Sequence, residues 1–273
     1  MAAEEFETIA VEVRDRIAVV TLNRPESGNA LNSTMHRELA KFWTRAKDDD
    51  GIWAIILTGA GDRHFCTGAD MREAASAYRA GSELDRWRDD SDRSQDFGLP
   101  WQFGVHKPII CALNGTTAGG GLLFMWQAHI TIAAEGISFL EPHTAVGQLP
   151  FSEIYGLALS GLPWGIAMRM GLMGTKERMP VQRAYELGLV SEIVPRDRLM
   201  ARAHEIASDI LEMSPLAIRS LIEGAHQIRS AGWGITEAFA AGSQLSTALR
   251  STKDHREGPL AFAEKRKPQW EAR

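Results

Sequence analysis

Residues 107–130 read KPIICALNGTTAGGGLLFMWQAHI. A short β-rich apolar run ends in an Asn-Gly turn, and three consecutive glycines, 119–121, then open an apolar helix. Upstream, WAIILTG (53–59) repeats the design and leads into a second glycine-bearing turn, HFCTGADM (64–71). Buried strands that alternate with helices imply an α/β fold with a largely parallel sheet. A helix start carries unpaired N–H groups and a partial positive charge, and glycine lets a ligand approach the backbone closely. Two such turns that converge on one carbonyl oxygen would form an oxyanion hole. Taken singly, a glycine run is also explained by a tight turn or close helix packing. The pattern GxGxxG is absent, which gives no support to a dinucleotide fold.

Working outward, residues 8–22, TIAVEVRDRIAVVTL, have the pattern of a hairpin feeding a buried strand. Asn32-Ser33 caps the helix STMHRELAKFWTRAKDD that follows. The charged segment 72–100 reads as a pair of solvated surface helices or as a cover over a ligand, with Trp87, and Trp101 and Phe103 just beyond, as candidate lining. From residue 164 onward the pattern is helical almost throughout. The expected organisation is a catalytic core, 1–200, and a helical oligomerisation region, 201–273.

The chain has 273 residues, 24 % charged and 44 % apolar, the balance of a soluble globular protein. A formal net charge of -5 gives no general attraction for nucleic acid or anionic membrane, and no nucleic-acid or membrane partner is expected. The two cysteines, Cys66 and Cys111, sit in apolar stretches and read as small buried hydrophobes. The acidic start MAAEEFETIAVEV lacks a basic n-region, and a cytoplasmic location is expected. The histidines show no metal-ligand spacing, so no metal is implied.

Four stretches together resemble the enoyl-CoA hydratase/isomerase (crotonase) superfamily: TLNRPESGNALN (21–32), FCTGADM (65–71), NGTTAGGG (114–121) and GPLAFAEKRKPQW (258–270). The resemblance implies a spiral of ββα units with a helical C-terminal trimerisation region, as a homotrimer or a dimer of trimers. It implies an acyl-CoA thioester as substrate, with coenzyme A part of that substrate and no tightly bound cofactor. By the same resemblance, the backbone N–H groups of Ala69 and Gly120 would be the oxyanion donors. Gly68, Ala69, Arg72, Phe262 and Lys265, and more weakly Arg24, would meet the coenzyme A moiety.

The sequence departs from the family where hydratases carry two glutamates. Leu123 occupies the first position, in GGGLL, and His143 the second, in FLEPH. Leucine cannot transfer a proton, whereas an imidazole can act as a general base near neutrality. Glu141, two residues before His143, and Glu153, ten residues after it, are the carboxylates available to orient the ring. A branch of the superfamily, the β-diketone hydrolases, is similar here. Its histidine precedes a glycine by four residues, as His143 precedes Gly147, and its acid follows a proline, as Glu153 follows Pro150 with a one-residue offset. The sequence therefore points to an acyl-CoA enzyme with His143 as base, acting by thioester or C–C hydrolysis or by double-bond isomerisation. A non-catalytic acyl-CoA-binding homologue is the alternative from a different class. A conventional hydratase with Glu141 or Glu153 substituting is a further alternative.

Overall fold

The computed structural model describes residues 6–80, 98–231 and 235–272. The hairpin expected at the N-terminus is present as β1 (Ile9–Arg14) and β2 (Ile17–Leu22), paired antiparallel. Helix α1 (Ser33–Ala46) follows, and the Asn32 side chain accepts the Met35 N–H at 2.9 Å as its N-cap. Met35, His36, Leu39, Phe42 and Trp43 form its buried face, at the i, i+3, i+4 spacing that one side of a helix requires. Trp43 is fully buried and its indole N–H is satisfied by the Gly98 carbonyl at 2.7 Å.

Strands β3 (Ala54–Gly59) and β4 (His64–Cys66) lead to α2 (Met71–Arg79). Strands β5 (Ile109–Leu113) and β6 (Thr116–Ala118) lead to α3 (Gly120–Gln127). Strands β7 (Ile130–Ala134) and β8 (Ser138–Leu140) lead through a short 3-10 turn to α4 (Phe151–Leu159) and α5 (Trp164–Met173). Strand β9 (Met179–Pro180), α6 (Val181–Glu186) and β10 (Glu192–Val194) come next. Helices α7 (Leu199–Leu211), α8 (Pro215–Ala231), α9 (Ile235–Arg250) and α10 (Lys253–Glu264) complete the chain.

Two sheets result, one in the order β1-β2-β3-β5-β7-β10 and one in the order β4-β6-β8-β9. The units β3β4, β5β6 and β7β8 each place their first strand in the larger sheet and their second in the smaller, so the chain spirals. Strands β3 and β5 are buried along their whole length. That explains why they read as continuous apolar runs and not as alternating ones. Helix α7 packs back on β3, β5 and β7.

The reading of the region after residue 164 as helical almost throughout needs refinement. The region after residue 164 is not purely helical: SEIV supplies β10, whose parallel pairing to β7 extends the larger sheet. A three-residue strand is too short to show periodicity. His129 lies beyond α3, which ends at Gln127, at the entry to β7. His129 is structural: its Nδ1 accepts the Ile109 N–H at 2.9 Å, and burial pushes its pKa down to about 4. Among the described residues, no helix is long and apolar enough to cross a membrane.

Candidate active site

The spiral brings the two glycine-bearing turns into contact. Leu31 donates to the Gly68 carbonyl at 2.8 Å, and Asp70 donates to the Leu31 carbonyl at 2.9 Å, so the 68–70 turn is pinned like one more strand. The Ala69 N–H between these bonds is left without a protein acceptor among the described residues. Gly120, the first residue of α3, also presents an N–H that the helix cannot use.

The three glycines have three separate reasons to be glycine. Gly119 adopts φ 51°, ψ -126°, a conformation closed to residues with a side chain. At Gly120 a Cβ would lie 3.2 Å from the Leu31 Cδ1, tighter than ordinary contact. At Gly121 a Cβ would lie 2.6 Å from the Cys66 carbonyl, so close helix packing demands its absence. Gly68 has φ +86°, and a Cβ there would come within 3.0 Å of the Gly120 nitrogen. The two turns are therefore neighbours, as the oxyanion reading requires.

A cavity of about 260 Å³ opens in front of them, lined by Ala69, Gly120, Leu123, His143 and Glu153 among others. The Ala69 and Gly120 N–H groups, Leu123 and the His143 imidazole thus share one space. Leu123 is buried on its wall.

Glu141 lies just past β8 and is fully buried. Its Oε1 accepts the His143 backbone N–H at 3.0 Å and also the ring Nδ1–H of His143. Spacing left the partner of His143 open between two acids, and the geometry resolves it as Glu141. Glu153, in the first turn of α4, is buried beside the pair, and ligand-capable atoms of Glu141, His143 and Glu153 all lie within 4.8 Å of one another. Burial alone would push the imidazole pKa down. The hydrogen bond that His143 donates to Glu141, then the charges of Glu141 and Glu153, outweigh it and hold His143 above the ordinary histidine range. Burial raises the Glu153 carboxyl above its usual range against the opposing charge of His143, and the Glu141 charge adds to the rise.

The remaining candidates are dispersed. The Arg24 guanidinium is engaged by Asp70 at 2.9 Å and by the Ala30 carbonyl at 2.6 Å, which ties together the segments flanking Ala69. Arg72 is exposed at the start of α2. Phe262 is 87 % exposed on α10, Lys265 caps that helix, and neither lines the cavity of its own chain. Trp101 and Phe103 do not line the cavity either. Trp101 packs on Trp126 and His226, with centroids at 5.5 Å and 4.0 Å, because the 3-10 turn Pro100–Phe103 sits over the end of α3. Trp87 and the expected surface helices beyond residue 80 lie outside the described residues. His36, Leu99, Gln148 and Ser152 line the cavity without having been singled out in the sequence. For His36 a signal existed, since it falls on the buried stripe of α1.

The chain matches known proteins over nearly its whole length. A profile of the enoyl-CoA hydratase/isomerase family matches residues 12–273. The chain belongs to this family. It is 34 % identical over 267 residues to a probable enoyl-CoA hydratase, echA8, of Mycobacterium bovis, covering 97 % of this chain and 98 % of that protein. It is 31 % identical to a carnitinyl-CoA dehydratase of Proteus mirabilis, covering 98 % and 99 % of the two chains. The crystal structure of an enoyl-CoA hydratase/isomerase from Mycobacterium paratuberculosis superposes with a TM-score of 0.86 at 38 % identity, covering 98 % of this chain and all of the other. The expected crotonase fold is thereby established. The protein is an acyl-CoA enzyme of the enoyl-CoA hydratase/isomerase family, whose substrates are coenzyme A thioesters.

Proposed function

We propose that this family member hydrolyses its acyl-CoA substrate, with His143 as the general base and the Ala69 and Gly120 N–H groups as the oxyanion hole. The observation that carries the reading is the Glu141 carboxylate on the Nδ1–H of His143, beside the cavity that both donors line. That hydrogen bond fixes the tautomer, so the Nε2 lone pair is the basic site. Nε2 takes a proton from water as the water oxygen attacks the carbonyl carbon. The two N–H groups hold the negative charge on the carbonyl oxygen, and the buried Glu141 stabilises the imidazolium that forms. Collapse of the tetrahedral species breaks either the bond to sulfur or the carbon–carbon bond beside the carbonyl, and the imidazolium proton goes to the departing thiolate or carbanion.

The resemblance puts Leu123 at the first glutamate position, which counts against hydration by the family's usual pair of glutamates. Arg72, Phe262 and Lys265 remain the proposed contacts of coenzyme A, with Phe262 and Lys265 reaching a neighbouring subunit's site in a homotrimer or a dimer of trimers.

A panel of acyl-CoA thioesters and β-diketones, followed by mass spectrometry with wild type and His143→Ala in parallel, tests the reading. Cleaved products from wild type only are expected. An intact product heavier by one water would restore the hydratase reading. A product of unchanged mass with a shifted double bond would make His143 the base of an isomerase.

A further inference from the structure

We propose that Glu141, His143 and Glu153 form a binding site for a single divalent cation of the zinc class, and that such an ion switches the enzyme off by occupying the base. The metal site follows from three side chains; its inhibitory effect rests on the reading of His143 as base.

Ligand-capable atoms of the three residues lie within 4.8 Å of one another. Zinc holds imidazole nitrogen and carboxylate oxygen at about 2.0–2.2 Å, which sets its ligands about 3–4 Å apart. Small side-chain rotations close the difference. The Nδ1 of His143 and Oε1 of Glu141 already face one another across a shared proton; a cation inserted there takes the Nδ1 lone pair, the ring proton then sits on Nε2, and the base is lost. The second carboxylate oxygen of Glu141 supplies an independent sign: it is buried and has no hydrogen-bond partner, although the residue is fully enclosed. An acceptor so placed asks for a positive partner. No lysine or arginine pairs with Glu141 or Glu153 among the described residues, so the set is anionic and complements a dication.

The donor set also selects the ion. Magnesium and calcium prefer all-oxygen shells, whereas one imidazole with two carboxylates suits zinc, cobalt or manganese. The adjoining cavity, about 260 Å³, has room for a water to complete the coordination. Histidine spacing gives no sign of such a site, because only one of the three proposed ligands is a histidine.

The test uses the full-length protein after treatment with a chelator. Cobalt(II) is titrated in while its visible ligand-field bands are recorded, and zinc is used to displace it. One equivalent should give bands that zinc abolishes. His143→Ala should lose the bands, and the isosteric Glu153→Gln should weaken cobalt binding at least tenfold, with far-UV circular dichroism confirming the fold of both. Absence of bands at millimolar cobalt, or bands unchanged in both variants, would overturn the site.

A second arm follows substrate turnover. Chelated wild type should turn substrate over, one equivalent of zinc should suppress it at least tenfold, and chelator should restore it. Cobalt binding with undiminished turnover in zinc would overturn the inhibitory effect. An inactive chelated enzyme would sink the base reading, while the cobalt titration judges the metal site separately.

Discussion

Glu141 Oε1 accepts two hydrogen bonds from one residue, His143: the backbone N–H at 3.0 Å and the ring Nδ1–H. The backbone bond fixes where the carboxylate points, and the ring bond transmits that position to the imidazole. Glu141→Ala removes both and should cost about 10²- to 10⁴-fold in kcat, the range for a disabled general base. Glu141→Gln retains an acceptor but no charge, so its loss should be smaller. KM should change little in either, because Glu141 does not line the cavity. Steady-state kinetics on the thioester or diketone that the panel yields provide the check, and equal kcat in wild type and Glu141→Ala would end the case for a positioning role.

Crotonyl-CoA should be hydrated poorly, at rates about 10²- to 10⁴-fold below those of two-glutamate family members. The reason is Leu123, an apolar side chain on the cavity wall, which the family resemblance places where a hydratase has a carboxylate. Loss of the enoyl absorbance measures it directly. Hydration as fast as that of an efficient hydratase would mean that Glu153 or Glu141 has taken over.

Gly119→Ala tests whether the glycine turn also positions the base. The added Cβ would sit 3.3 Å from the His143 ring, on a backbone at φ 51° that strains any side chain. The strain should cost about 1–3 kcal/mol of stability. Turnover should fall more than thermal stability implies, since the ring must yield. Thermal melts and kcat measured on the same preparation separate the two effects, and a melt that drops with kcat intact would place His143 beyond the reach of this turn.

Much of this was legible in the sequence, for physical reasons that differ by element. Strands β3 and β5 are buried on both faces, and so their apolar runs announce themselves. Asn32 caps α1 through a local contact with Met35, which needs no tertiary knowledge. The positions of Ala69, Gly120 and His143 came through family resemblance, not through any periodicity. What spacing could not reveal is the choice between Glu141 and Glu153, because that depends on the chain turning into a 3-10 helix at His143. Nor could it place Trp101, whose aromatic partners Trp126 and His226 are distant in sequence.

Assembly into a trimer or a dimer of trimers should be visible by light scattering at micromolar protein. Phe151, Trp164 and Leu172 on α4 and α5, and Phe262 on α10, are large apolar side chains exposed in the single chain. Such surface needs a partner in a soluble protein. Phe262→Asp should lower the mass if α10 packs against a neighbour, and should raise KM for coenzyme A thioesters. A strictly monomeric wild type would remove Phe262 from the coenzyme A site.

The electrostatics of the triad set a pH dependence whose sign is fixed. The base works only when His143 is neutral, and Glu141 and Glu153 raise its pKa, so turnover should climb with pH through that raised value and then level off. Glu141→Gln deletes both the hydrogen bond to a charged group and the larger of the two carboxylate charges. Its midpoint should therefore move to lower pH even as the plateau falls. Stability runs the other way. A histidine held above its unfolded value, about 6.5, contributes stability that is complete below that pH and lost as pH rises through the folded pKa. Glu153 is also raised, so its contribution is present below the unfolded glutamate value of about 4.3 and is lost as pH rises through its own folded pKa. Thermal melts should thus decline from weakly acidic to alkaline pH, and the decline should flatten in His143→Ala. A pH–rate midpoint that does not move in Glu141→Gln would show that the carboxylate does not tune the base.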